Sequence, residues 1–150
     1  MPNGCFIDTN VLLYAKDPKT PSKRERAREW LSMLANENRV VISPQVLNEF
    51  AHNIIRKFPH VTLDELQQNI EAMRRWRMAP ITDDTTLHAL AIFRRFRFSF
   101  YDCALLATAM DLGCEIFLSE DLNHDQRLGR LRIVNPFTVA PSVFLKQARP

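Results

Sequence analysis

Short apolar runs that alternate with helical stretches constrain the fold of this 150-residue chain more than any other feature. Strands that are buried on both faces read as unbroken apolar runs, which is typical of parallel sheets covered by helices. The predicted strands lie at 5–7, 40–42, 78–81, 115–118 and 131–134. The third contains a proline, which predicts an edge position. The pattern predicts an α/β fold with a mostly parallel central sheet and helices on both faces.

Capping signals place helices between these strands. Ser43-Pro44 is a strong helix start, with serine as the cap and proline at the first helical position. Ser22 is predicted to cap the preceding helix, and Thr62 the following one. The predicted helices span 22–36, 44–58, 62–76, 83–93 and 100–112. Gly113 then gives the last of them a typical end.

Length and composition limit the possible classes of protein. The chain has the size of one domain, and we predict a domain at 1–137 followed by a C-terminal tail at 138–150, extended or a short helix. No apolar run approaches the roughly 18 residues that span a bilayer, and no secretory signal pattern is present. Three cysteines in apolar segments favour a reducing, cytoplasmic location. Three glycines are too few for a glycine-rich phosphate loop, which argues against nucleotide-cofactor sites.

The basic residues are mostly arginines. Net charge is +3, and arginine supplies 15 of the 20 basic residues. Its planar guanidinium suits phosphate better than the point charge of lysine. Twelve arginines fall in four clusters at 24–28, 74–77, 94–97 and 127–132. Solvated helix faces can explain any single cluster, but four together favour a polyanionic partner.

Acidic residues follow two of the predicted strands. Asp8 comes directly after the first strand, and Asp121 follows the strand at 115–118. If these strands are neighbours, both carboxylates enter one crevice at the carboxyl edge of the sheet. Asp8 could equally be a helix cap. Asp102, three residues after Ser99, fits a capping box, and Glu49 lies opposite the apolar stripe of its helix and should face solvent.

Four motifs occur in order along the chain, at 6–12, 43–50, 99–109 and 116–122. Together they resemble the motifs of PIN-domain ribonucleases, and the nearest type is the VapC-like toxin of type II toxin–antitoxin systems. The resemblance implies a single PIN-like domain and a catalytic, metal-binding set of acids with polar helpers. These residues are Asp8, Glu49, Asp102 and Asp121, supported by Asn10, Ser119 and Glu120. Glu120 is the alternative to Asp121 as the fourth acid.

The resemblance also implies an activity and partners. These are hydrolysis of RNA phosphodiesters that leaves a 5′-phosphate and a 3′-hydroxyl, an inhibitory antitoxin protein and a homodimer. The chemistry is consistent, because converging carboxylates repel one another unless a cation joins them. Mg²⁺ or Mn²⁺ prefers oxygen ligands and activates water for attack on phosphate. Asp8 and Asp121 would be ligands, while Asp102 and Glu49 would bind a second ion or orient water.

Two other functions compete with this one. Haloacid-dehalogenase-like phosphatases also place an aspartate after a buried strand, but they need a second acid where this chain has Asn10, which cannot transfer the proton. Alternatively, the chain is an RNA- or protein-binding module with a weakened site. In that case the amphipathic helices at 22–37 and 62–77 would form a groove for a partner.

Overall fold

The computed structural model describes the backbone of residues 3–148 and the side chains of residues 3–144. In this part of the chain six strands form one sheet in the order β3-β2-β1-β4-β6-β5. All neighbouring strands are parallel except β5 and β6. The strands are β1 Cys5–Ile7, β2 Val40–Ile42, β3 Arg77–Met78, β4 Ile116–Leu118, β5 Arg127–Leu128 and β6 Leu131–Val134. The α/β prediction with a mostly parallel sheet is confirmed.

Seven helices of the described chain flank this sheet. They are α1 Thr9–Tyr14, α2 Pro21–Asn36, α3 Pro44–Lys57, α4 Leu63–Met73, α5 Asp83–Arg95, α6 Phe100–Asp111 and α7 Pro141–Ala148. Ser43 caps α3 as predicted, since its hydroxyl accepts a hydrogen bond from the Val46 amide. Thr62 caps α4 in the same way. None of these helices is long and apolar enough to cross a membrane.

Several predicted boundaries were wrong. Helix α2 begins at Pro21, so Ser22 is not its cap, because the fixed φ of proline already suits the first helical position. Strand β3 ends at Met78, since the Ala79 amide makes one last bond to Ile42 and Pro80 has no N–H to continue. Helix α4 ends at Met73, where a turn leads the chain into β3.

Strands β1 and β4 are neighbours at the centre of the sheet, although more than a hundred residues separate them. Ile7 pairs with Leu118, and the Asp8 amide donates a hydrogen bond to the Leu118 carbonyl at 3.0 Å. The chain continues from β1 to one side through β2 and β3, whereas β4 lies on the other side. The carboxyl ends of β1 and β4 therefore meet at a topological switch point, where ligands bind in open α/β sheets.

The apolar stripe of α2 is buried in the core. Ala27, Trp30 and Leu34 have no solvent exposure, and Leu66 and Met73 of α4 are also buried. These stripes hold the two helices against the domain. The expectation that the helices at 22–37 and 62–77 form a groove for a partner stays a prediction.

The C-terminal tail contacts this core. The indole Nε1 of Trp30 lies 3.0 Å from the Pro136 carbonyl and 3.1 Å from the Val139 carbonyl. The ring of Phe144, in α7, packs at 5.8 Å from the Trp30 ring and is buried. Part of the tail is thus a short helix, as one of the two predicted alternatives had it. The boundary at residue 137 stays a prediction.

Candidate active site at the carboxyl edge of the sheet

Asp8 leaves β1 and enters α1, and its two carboxylate oxygens have different partners. Oδ1 accepts a hydrogen bond from the Thr9 amide at 2.7 Å, which caps α1. Oδ2 accepts one from the Ser119 hydroxyl, also at 2.7 Å. The residue is only 6% exposed. Asp8 is therefore a helix cap and also presents a carboxylate oxygen toward the end of β4.

The side-chain amide of Asn10 connects Asp8 to Asp121. Its Nδ2 lies 2.8 Å from Oδ2 of Asp121 and 3.3 Å from Oδ2 of Asp8. The Ser119 hydroxyl accepts from the Asp121 amide at 3.2 Å, which fixes the turn after β4. A neutral donor between two carboxylates reduces their repulsion without removing either charge. This pair of acids stands where the sequence predicted it.

Glu49 does not face solvent as the periodicity of α3 predicted. Its Oε2 accepts a hydrogen bond from the Thr9 hydroxyl at 2.8 Å, and its Oε1 accepts one from the Gln45 amide at 2.9 Å. The residue is half-buried because α1 packs against this side of α3. A helical wheel describes one helix only and could not reveal the contact. The spacing of Gln45 and Glu49 by four residues was the one available signal.

Asp102 occupies the first turn of α6 and is half-buried. Ser99 caps the helix, since its hydroxyl accepts from the Asp102 amide at 3.2 Å. The cap thus uses the backbone of Asp102 and leaves the carboxylate available. Hydrogen bonding by the Ser99 side chain opposes the rise in the pKa of that carboxylate, but no cationic side chain of the described residues pairs with it. Ser99 caps α6 as the sequence predicted, but the cap does not explain why residue 102 carries a carboxylate.

The four acids share one electrostatic environment, which we call the acidic crevice. The pKa of Asp8 is raised from 3.8 to about 7, chiefly by burial; the hydrogen bonds from Ser119 and Thr9 oppose the rise, and the charges of Asp102 and Asp121 add to it. Burial also raises the pKa of Asp102, and the charges of Asp121 and Glu49 add to that effect. No lysine, arginine or histidine of the described chain forms an ion pair with any of the four.

Glu120, the alternative fourth acid, is directed elsewhere. Its carboxylate forms an ion pair with Lys23 of α2, whereas the Asp121 carboxylate is bonded to Asn10. Asp121 is therefore the acid of this turn that shares the crevice with Asp8. No sequence signal pointed to Lys23, because it lies almost a hundred positions from Glu120.

The donor set fits a hard divalent cation. It consists of oxygen atoms with uncompensated negative charge, which Mg²⁺ and Mn²⁺ prefer. In the described residues, however, no three acids, histidines or cysteines approach closely enough to hold an ion as they stand. Mg²⁺ usually keeps several waters and takes only one or two carboxylates directly. The crevice is thus compatible with an ion held partly through water.

The arginine clusters lie at different ends of the fold. Arg77 pairs with Val41 in the sheet, and a Cβ at Gly4, before β1, would meet its guanidinium. Arg77 therefore lies at the amino edge, opposite Asp8, and residues 74–77 do not border the crevice. Arg94 and Arg95 end α5, which a short loop joins to the start of α6 and Asp102. The cluster at 94–97 is exposed and stays a candidate for contacts to a polyanion.

Comparisons with known proteins give the same fold. The sequence model of the PIN domain matches residues 5–128. No curated protein matches the sequence. A toxin–antitoxin complex from Klebsiella pneumoniae has a TM-score of 0.65 and 18% identity, over 89% of this chain and 98% of that chain.

Two further solved structures are similar. VapC20 of Mycobacterium tuberculosis, a toxin that cleaves the sarcin-ricin loop, has a TM-score of 0.55 and 19% identity, over 76% of this chain and 87% of that chain. VapBC2 of Rickettsia felis, bound to a DNA fragment from its promoter, has a TM-score of 0.61 and 16% identity, over 85% and 95% of the two chains. At these identities the likeness shows the fold alone.

Proposed function

This chain belongs to the PIN-domain family, and we propose that it is a divalent-metal-dependent endoribonuclease, the toxin of a toxin–antitoxin pair acting in the cytoplasm. The observation that carries the proposal is the acidic crevice, in which Asp8, Glu49, Asp102 and Asp121 accumulate negative charge without a cationic side chain. A structural protein gains nothing from this arrangement, because each buried carboxylate costs free energy unless a cation compensates it.

We assign each residue of the crevice a separate role in hydrolysis. Asp8 and Asp121 would hold the ion, and Asp102 and Glu49 would hold a second ion or orient the attacking water. A bound Mg²⁺ or Mn²⁺ supplies a more acidic water and neutralises charge on the phosphate and the leaving oxygen. Asn10 and Ser119 keep the two ligating carboxylates in place through their hydrogen bonds. The exposed arginines at 94–97 would contact the RNA backbone, which makes binding salt-dependent.

Purified protein without a partner should cleave RNA in the presence of Mg²⁺ or Mn²⁺. Excess EDTA should abolish cleavage and added metal should restore it, because the crevice has no cationic side chain to replace the ion. End-group mapping of the products should find 5′-phosphates and 3′-hydroxyls, as expected for attack by water. Cleavage that EDTA does not affect, or products with cyclic phosphate ends, would contradict the proposal. RNA binding without products would favour the non-catalytic module.

An antitoxin is the proposed protein partner. Two of the three solved structures named above are toxin–antitoxin assemblies, and both cover most of this chain. The groove expected between the helices at 22–37 and 62–77 is the proposed contact surface for this partner. A second copy of this chain is the other proposed partner. An exposed apolar surface is available for this dimer contact.

We place the dimer contact on an apolar face formed by α5 and α6. Its residues are Leu87, Leu90, Phe93, Phe100 and Tyr101, all exposed. The Phe93 and Phe100 rings are 6.5 Å apart, so the two helices share one surface. Helix α5 begins with Asp83 and Asp84 and ends with arginines. Pairing α5 antiparallel about a twofold axis places each acidic start beside the basic end of the other copy.

Leu87→Asp should therefore shift the protein from dimer to monomer, raising the dissociation constant by about 100-fold, since it introduces a charge into the centre of a hydrophobic contact. Leu87 is 67% exposed in one copy, so the fold should tolerate the change. Light scattering after size-exclusion chromatography measures the state. Leu63→Asp on α4 is the matched control, since Leu63 is 71% exposed outside the face. A monomeric wild type, or equal effects of both variants, would refute the assignment.

A further inference from the structure

Two neighbouring acids follow β4, but only one of them shares the acidic crevice. The Asp121 carboxylate lies 2.8 Å from the Asn10 amide, and its backbone amide is held by the buried hydroxyl of Ser119 at 3.2 Å. The Glu120 carboxylate forms an ion pair with Lys23 instead. The turn after β4 therefore carries two carboxylates on adjacent residues, one inside the crevice and one outside it. Asn10 and Ser119 hold Asp121 from inside the crevice, whereas Lys23 holds Glu120 from outside it.

Lys23 has a defined place beside this turn. Its Nζ lies 4.6 Å from the ring centre of Tyr14, 5.2 Å from that of Phe137 and 3.4 Å from the Tyr14 hydroxyl. The two rings contact each other edge to face at 5.0 Å. Attraction of an ammonium to aromatic faces adds to the ion pair. Residues from α1, α2 and the segment after β6 thus fix the position of the cation.

The Lys23–Glu120 pair is connected to the crevice through the backbone. The Glu120 amide donates a hydrogen bond to Oδ1 of Asn10 at 3.4 Å. The other end of the same Asn10 side chain donates to Asp121 and Asp8. A movement of Glu120 would therefore reach both carboxylates through one amide group.

We propose that Lys23 is a positioning residue that holds Glu120 out of the acidic crevice, so that Asp121 is the acid presented to the metal. The inference rests on the proposed function of the crevice. Without the ammonium, Glu120 would be a half-buried carboxylate without its counter-ion, and a metal bound in the neighbouring crevice would attract it. Its approach would rotate the turn and displace Asp121.

Lys23→Met tests this directly, since methionine keeps much of the packing against the two rings but removes the charge. We expect the dissociation constant for Mn²⁺ to rise about tenfold and single-turnover cleavage to slow by about 10- to 100-fold, as for other residues that orient metal ligands. Lys23→Arg, which keeps the positive charge, should retain most of the Mn²⁺ affinity and most of the cleavage rate. Calorimetric titration with Mn²⁺ alone gives the first value, and labelled RNA gives the second. Lys57→Met, at an exposed lysine of α3, is the matched control.

The double variant Lys23→Met/Glu120→Gln distinguishes positioning from direct contact with RNA. If Lys23 acts through Glu120, removing the second charge should recover most of the Mn²⁺ affinity and most of the rate. If Lys23 instead contacts a phosphate, Mn²⁺ affinity should be normal in Lys23→Met, KM for RNA should rise, and the double variant should be no better. That result would overturn the inference while leaving the ribonuclease proposal intact. Should Lys23→Met unfold, Lys23→Gln carries the same comparison.

Discussion

Asp8→Asn is expected to lower metal-dependent RNA cleavage by at least about 10³-fold, because metal-ion catalysis contributes several kcal/mol to such reactions. Asparagine has nearly the same shape as aspartate and its carbonyl oxygen can still accept from the Thr9 amide, so α1 keeps its cap. The loss should therefore not come from unfolding. Gel assays with and without Mn²⁺ measure it. Undiminished cleavage by the folded variant would refute the assignment of Asp8.

The same variant should be more stable than the wild type when metal is absent at neutral pH. The pKa of Asp8 is about 7 in the folded protein against an ordinary value of 3.8, so the folded state binds this proton more readily than the unfolded state. The stability that Asp8 contributes is complete below pH 4 and is lost as the pH rises to 7. The loss is up to roughly 4 kcal/mol.

Urea unfolding in EDTA between pH 4 and 7 tests whether the free energy of unfolding falls as the pH rises. The wild type should lose stability across that window, and Asp8→Asn should lose less. Asp64→Asn, at an exposed aspartate of α4, is the control and should follow the wild type. Cleavage at limiting metal should rise with pH up to about 7, because Asp8 must lose its proton before it can bind an ion. A stability profile of wild type identical to that of Asp8→Asn would contradict the burial argument.

Trp30→Ala should have the largest effect on stability, a loss of about 3–5 kcal/mol in the free energy of unfolding. Trp30 is fully buried, and its indole bonds two carbonyl groups of the segment after β6. The substitution opens a cavity and leaves those carbonyls without their donor. It also removes the ring against which Phe144 packs, so the C-terminal tail should detach before the domain unfolds.

Chemical denaturation gives the size of the loss, and hydrogen exchange shows whether amides of α7 lose protection first. Trp30→Phe keeps part of the packing but not the hydrogen bonds, and should lose less than the alanine variant. Trp76→Ala, at a half-buried position, should have a smaller effect. If Trp30→Ala and Trp76→Ala cost the same, the tail does not depend on Trp30.

The parts of the site that could be predicted were those set by strand order. Asp8 and Asp121 follow strands, and the ends of parallel strands meet at one edge, so their proximity could be inferred from the sequence. Glu49 and Lys23 could not be placed from the sequence pattern, because their partners lie on other helices or distant turns. Strand β5 was missed since two residues carry no periodicity, and it exists only through pairing with β6. The sequence pattern of one helix or strand does not show which other element it will contact.

The central pairing of β1 with β4 has a consequence during protein synthesis. Ser119, which donates a hydrogen bond to the Asp8 carboxylate, and Asp121, which Asn10 connects to Asp8, are both made more than a hundred residues after Asp8. Until then β1 has no neighbour on one side and the carboxylates cannot gather. A nuclease built in this way would be unable to cut the message being translated, or the ribosome that makes it, until the segment that carries Asp121 has emerged.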